Sequence, residues 1–217
     1  DYGTYNQVEV RGTHPMRISH SSGLEIKHRV LDDIVPWNTP SNIPNFKQPN
    51  VEQIQSNYKK GDRIIIIGGG NGVSAVHSAN IAGIDGEVMI YEGDEERGRD
   101  LERTLKHNGV FDICNINHSI VGHAHRIESP GSANVVQPSD LPPCDALEMD
   151  CEGAEFEILK NIAPPLPDKI IVELHHKKAF SPYSSPDTIE SILEKKGYSV
   201  RQYDGPWVNG LFVAQLK

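Results

Sequence analysis

The chain has 217 residues, 30 acidic against 21 basic, for a formal net charge of −9. That length suits one domain with a buried core plus an extension and is short for two. The acid excess argues against a general nucleic-acid or anionic-membrane surface, and no run of about 18 apolar residues offers a membrane-spanning helix.

Residues 1–50 are polar and broken by Pro15, Pro36, Pro40, Pro44 and Pro49. Alternation in "YNQVEVRG" and "GLEIKHRVL" predicts short strands or a hairpin, and "VPWNTPSNIPNFKQPN" reads as a wrapping loop. Its Trp37, Asn42 and Phe46 are placed either to cover a pocket or to pack the extension on the core. "VEQIQSNYKKGD" predicts a helix ended by Gly61, leading into the strand "RIIIIG". Helices are then expected over about 72–82, 94–107, 153–161 and 187–196. They alternate with strands "EVMIYE", "DICNIN", "DALEMD" and "KIIVELH". Such alternation predicts an α/β fold with a mostly parallel sheet. The closing strands "YSVRQYD" and "GLFVAQL" are too close for a helical crossover and should pair antiparallel. "SPGSANVVQPSDLPP" reads as a surface loop. Cys114, Cys144 and Cys151 show no CxxC spacing and no even count, so reduced structural thiols and a cytoplasmic location are expected.

Gly68, Gly70 and Gly72 form a GxGxG turn directly after a strand. Glycines there let backbone N–H groups and a helix N-terminus approach a polar ligand. Glu92 ends the next strand, where a carboxylate can accept both hydroxyls of an unmodified ribose. Two cofactors fit this far. A nicotinamide dinucleotide, implying an oxidoreductase, is compatible with "GNGVSA" (Gly70, Gly72, Ala75), and S-adenosylmethionine is compatible with GxGxG and the acid.

Further along, "DALEMDCEGAEFEILKN" delivers Asp150 and Glu152 to the carboxyl end of a strand, where ligands are expected in a parallel sheet. The competing account has one of these acids cap the following helix. His175, after the fifth core strand in "VELHH", is a base suited to neutral pH, and Glu173 precedes it. Asp150, Glu152, His175 and His176 are chemically suited to a divalent ion, but no HxxxH or CxxC spacing supports one, and no metal is assigned. "HSIVGHAHR" reads as a loop. Ser119 and Ile120, expected after the third core strand, are placed to meet an adenine.

The segments "GDRIIIIGGGNGVSAV", "IYEGD", "DALEMDCEGAEFEIL" and "IIVELH", in that order and spacing, resemble the FkbM-type family of S-adenosylmethionine-dependent methyltransferases over roughly residues 50–217. Asp150, Glu152, Gly153, Ala154 and Glu155 match that family's D-x-E-G-A-E signature. The resemblance implies a Rossmann-like seven-stranded sheet with an antiparallel last strand. The chain then divides into an extension, 1–50, and a methyltransferase domain, 51–217. It also implies O-methylation of a small polar hydroxyl acceptor such as a sugar; the acid excess argues for no nucleic-acid or membrane partner. Asp150 is the favoured group to orient or deprotonate the acceptor, with Glu152 and His175 beside it. A non-catalytic binding protein on the same fold is a third reading. Two departures bear on these expectations. Members usually carry an acid two residues before the first glycine, where it helps hold the cofactor's ammonium, and a lysine two residues before the motif aspartate. Here those positions are Ile66 and Glu148. The resulting acidic mouth disfavours phosphorylated substrates.

Overall fold

A computed structural model describes residues 8–9, 15–21, 24–29, 47–123, 130–151, 153–174, 185–205 and 208–217, with backbone alone for the first three segments and for 204–205 and 208–209. Near the N-terminus β1 (Val8–Glu9), β2 (Pro15–Ser21) and β3 (Leu24–Arg29) form a separate antiparallel sheet. It has one strand more than the two expected segments supply.

The main sheet contains β4 (Arg63–Ile67), β5 (Glu87–Glu92), β6 (Cys114–Val121), β7 (Asn134–Val136), β8 (Ala146–Met149), β9 (Lys169–Glu173), β10 (Tyr198–Gly205) and β11 (Val208–Leu216). Their order is β10-β11-β9-β8-β4-β5-β6-β7. β4 through β9 pair in parallel, while β11 runs antiparallel to both β9 and β10, as the short closing connection required. Eight strands replace the expected seven because Asn134–Val136, inside the stretch read as a loop, pairs with Ser119–Val121 and extends the edge.

The helices are α1 (Gln48–Asn57), α2 (Val73–Ala82), α3 (Glu95–His107), α4 (Glu155–Asn161) and α5 (Pro186–Lys195). α1 begins three residues earlier than the sequence suggested. Pro49 occupies the first turn, where its missing N–H costs nothing. The expected division at 50/51 therefore falls within a helix. α1 also stops before Gly61. Ser56 and Asn57 turn their side chains back to the carbonyls of Glu52 and Gln53, and Tyr58 goes extended. Among the described residues no helix is long and apolar enough to cross a membrane.

The isoleucine run of β4 is buried on both faces, as a central parallel strand must be. Ile64 and Ile66 pack with residues of α1, α2 and α3, including Ile54, Val76 and Leu101. Ile65 and Ile67 face the other way, in one cluster with Met149, Ile158 and Leu193. Helices on both faces thus hold the carboxyl ends of β4, β5, β8 and β9 side by side.

Candidate active site

The three motif glycines serve three different ends. A Cβ on Gly68, at φ +91°, would lie 2.0 Å from the Asp150 carbonyl oxygen, so this glycine lets the turn rest on the chain leaving β8. Gly72, at φ +85°, caps α2, and a Cβ there would meet Leu101 and Thr104 of α3 at 3.1 Å. Gly70, at φ +49°, has nothing within 4 Å of its missing side chain. It is the glycine whose bare backbone faces open space, the cradle a ligand needs.

Glu92 is buried, and both its oxygens are in use: Gly70 N–H donates to Oε2 at 3.0 Å and Asp94 N–H to Oε1 at 2.9 Å. Asp94 in turn caps α3 by accepting from Glu96 and Arg97. The carboxylate is therefore fixed before any ligand arrives. Each oxygen keeps a second lone pair for a hydroxyl donor. A cleft of about 600 Å³ between α3 and β6 adjoins Glu92, lined also by Phe111, Ile116 and His118. Ser119 and Ile120 lie within β6 rather than beyond it, because that strand runs to Val121, and neither lines this cleft.

On the other side of the glycine turn, β8 and β9 bring three acids together. Asp150 does not cap α4, whose N-cap is Ala154 without a side-chain bond. Its carboxylate instead pairs with the Lys47 ammonium. Lys47 also reaches Glu173 Oε2 at 3.2 Å, and Asn50 Nδ2 donates to the same oxygen at 2.9 Å. Lys47 immediately precedes α1 in the left-handed region, at φ 53°, uncommon for a side chain of its kind. Burial works against its charge, yet the carboxylates of Asp150 and Glu173 outweigh that and hold the ammonium above its ordinary value. Lys47 and Asp150 keep 23% and 21% of their side-chain surface exposed, so this pair forms the rim of the site.

Glu148 forms its floor. It is 2% exposed, on the same face as Ile66, its register partner in β4, and as Ile171 in β9. Burial pushes its carboxyl up to about 7. A hydrogen bond with Ser74, in the first turn of α2, and the Lys47 ammonium act the other way, while Asp150 and Glu173 add to the rise. Among the described residues its Oε2 has no hydrogen-bond partner, nor have the buried Asn50 Oδ1 and Tyr58 hydroxyl on this face.

Of the residues expected from sequence, Glu92 and Asp150 meet the glycine turn of Gly68, Gly70 and Gly72, Asp150 through the backbone beside Gly68 and Glu92 through the Gly70 N–H, while Glu152, His175 and His176 lie outside the described residues. Among the described residues no three His, Cys, Asp or Glu side chains are grouped to hold a metal ion. Lys47, Asn50 and Ser74 were not anticipated. Lys47 and Asn50 meet partners more than 100 positions away, for which spacing offers no signal. The thiols of Cys114 and Cys144 are pushed up to about 12 by burial, and Cys151 is raised for the same first reason. All three are free, and a raised thiol disfavours the nucleophilic thiolate.

Several solved structures share this fold. An S-adenosylmethionine-dependent O-methyltransferase from Thermotoga maritima superposes with a TM-score of 0.57 at 16% identity, over 93% of this chain and 78% of the other. A putative rRNA methylase from Clostridium thermocellum gives 0.54 at 13%, over 79% and 97%. The O-methyltransferase TomG from Streptomyces achromogenes, solved with S-adenosylmethionine, gives 0.52 at 18%, over 78% and 80%. No curated protein matches by sequence. The family model described as the methyltransferase FkbM domain matches residues 44–200, which takes in Lys47, the glycine turn, Glu92 and the cluster on β8 and β9. The chain belongs to the FkbM methyltransferase family.

Proposed function

We propose that this protein is an S-adenosylmethionine-dependent methyltransferase that acts on a hydroxyl of a small polar acceptor such as a sugar. The observation that carries the reading is Asp150: a partly exposed carboxylate at the carboxyl edge of β8, against the glycine turn, held by Lys47 rather than spent on capping a helix. The residues present fit the cofactor. Gly70 leaves open space over its backbone, and Glu92 offers a fixed, buried carboxylate to a ribose. When bound, the cofactor supplies an electrophilic methyl group on a sulfonium.

The rest is alignment and proton removal. Asp150 orients the acceptor hydroxyl and takes its proton as the oxygen is methylated. Lys47 holds the Asp150 carboxylate in place through their ion pair. Glu152 and His175 are second candidates for the proton, and Ser119 and Ile120 for the adenine, by their place in the sequence. The acid excess around Asp150 favours neutral or cationic acceptors over phosphorylated ones.

The test is transfer of labelled methyl from S-adenosylmethionine to a panel of sugars and other polar alcohols. Acceptor-dependent transfer should fall roughly 100- to 10,000-fold in Asp150→Asn. Transfer that is undiminished in that variant would remove Asp150 from the chemistry.

A further inference from the structure

We infer that Glu148, a residue of β8, is the carboxylate that holds the ammonium at the amino-acid end of the cofactor, in place of an acid on β4. This rests on the S-adenosylmethionine reading above. Three observations carry it. First, the Glu148 Oε2 is buried without a partner among the described residues, although its other contacts are in place. A buried carboxylate oxygen left unmatched is costly and normally has a donor. Second, among the described residues the charges do not balance: Glu148, Asp150 and Glu173 surround one lysine, Lys47. Third, the register pairs Glu148 with Ile66. Paired residues in neighbouring strands project from the same face about 5 Å apart. The longer Glu148 side chain therefore reaches the space that an acid at position 66 would serve, two residues before the glycine turn.

The groups facing Glu148 are Lys47 before α1, Tyr58 after it, Ser74 on α2, Asp150 beyond β8 and Glu173 on β9; β4 contributes only isoleucine. A cation bound beside Glu148 favours its ionised form, so binding releases a proton and tightens as pH rises towards the free carboxyl's value of about 7. The empty protein behaves in the opposite sense. A carboxyl raised by folding supports stability fully below its unfolded value and loses that support as pH rises through about 7.

The experiment compares wild type and Glu148→Gln, which preserves size and an acceptor for Ser74, by calorimetric titration with two probes. S-adenosylhomocysteine carries the ammonium; methylthioadenosine lacks the whole amino-acid end. The variant should bind S-adenosylhomocysteine roughly tenfold or more weakly, with methylthioadenosine affinity within about twofold of wild type. Wild-type affinity for S-adenosylhomocysteine should rise between pH 6 and pH 8, and the variant's should be flat. The melting temperature of the empty variant at pH 8 should be no lower than wild type, which a merely structural role for the charge would not allow. Equal losses for both probes, or no loss for S-adenosylhomocysteine, would overturn the assignment while leaving the cofactor reading intact. A wild type that binds neither probe would overturn the cofactor reading and this inference with it.

Discussion

On the β4–β5 side of the crevice the Glu92 carboxylate has each oxygen engaged by a backbone N–H. On the β8–β9 side, among the described residues, three carboxylates face one lysine, and a buried oxygen of Glu148 has no partner. The first side is complete before a ligand arrives, the second only when a cation does. A site of this kind divides its work: a rigid half, its carboxylate fixed by backbone N–H groups, recognises shape and hydroxyls, and an electrostatically unfinished half recognises charge. Both rest on one support, the contact of Gly68 with the Asp150 backbone.

Breaking that support should have the largest effect. Gly68→Ala puts a Cβ against the Asp150 carbonyl at positive φ, and should cost about 3 kcal/mol or more in denaturant unfolding, with binding lost on both sides. Glu92→Gln attacks the rigid half alone. It weakens the acceptors of Gly70 and Asp94 and should cost about 1–3 kcal/mol of stability. It should also weaken S-adenosylhomocysteine and methylthioadenosine to the same degree, unlike the selective loss expected of Glu148→Gln. Lys47→Met unbalances the charged half further. The Lys47 ammonium lowers the Glu148 carboxyl, so its loss should move the midpoint of pH-dependent S-adenosylhomocysteine binding upwards; an unmoved midpoint would disconnect the two groups. The smallest stability effect belongs to Gly70→Ala. The new methyl meets open space, and only the left-handed backbone resists it, at about 1–2 kcal/mol. Its cost should instead appear in binding, because the methyl enters the cradle.

The rigid half was legible in the sequence because its parts are local or follow from strand order. A central strand, a glycine turn and an acid ending the neighbouring strand leave a fixed pattern, and Gly68, Gly70, Gly72 and Glu92 take the positions it implies. Asp150 was legible for the same reason. The charged half was legible only in pieces. Glu148 registered as a departure from a family pattern, and its pairing with Ile66 emerges only from strand register. Lys47 and Asn50 sit in a proline-broken stretch with no helical periodicity ahead of them, and their partners come from β8 and β9. β7 was hidden because three residues among Ser, Pro and Gly are too few to show alternation. The end of α1 was misplaced because side-chain to carbonyl bonds at Ser56 and Asn57 stop it before the glycine does.

The central claim is that this crevice takes S-adenosylmethionine and not a dinucleotide. Calorimetric titration of the full chain with S-adenosylhomocysteine and, separately, with NAD tests it most directly. The account predicts saturable binding of S-adenosylhomocysteine with no response to NAD. Binding of NAD with no response to S-adenosylhomocysteine would contradict it.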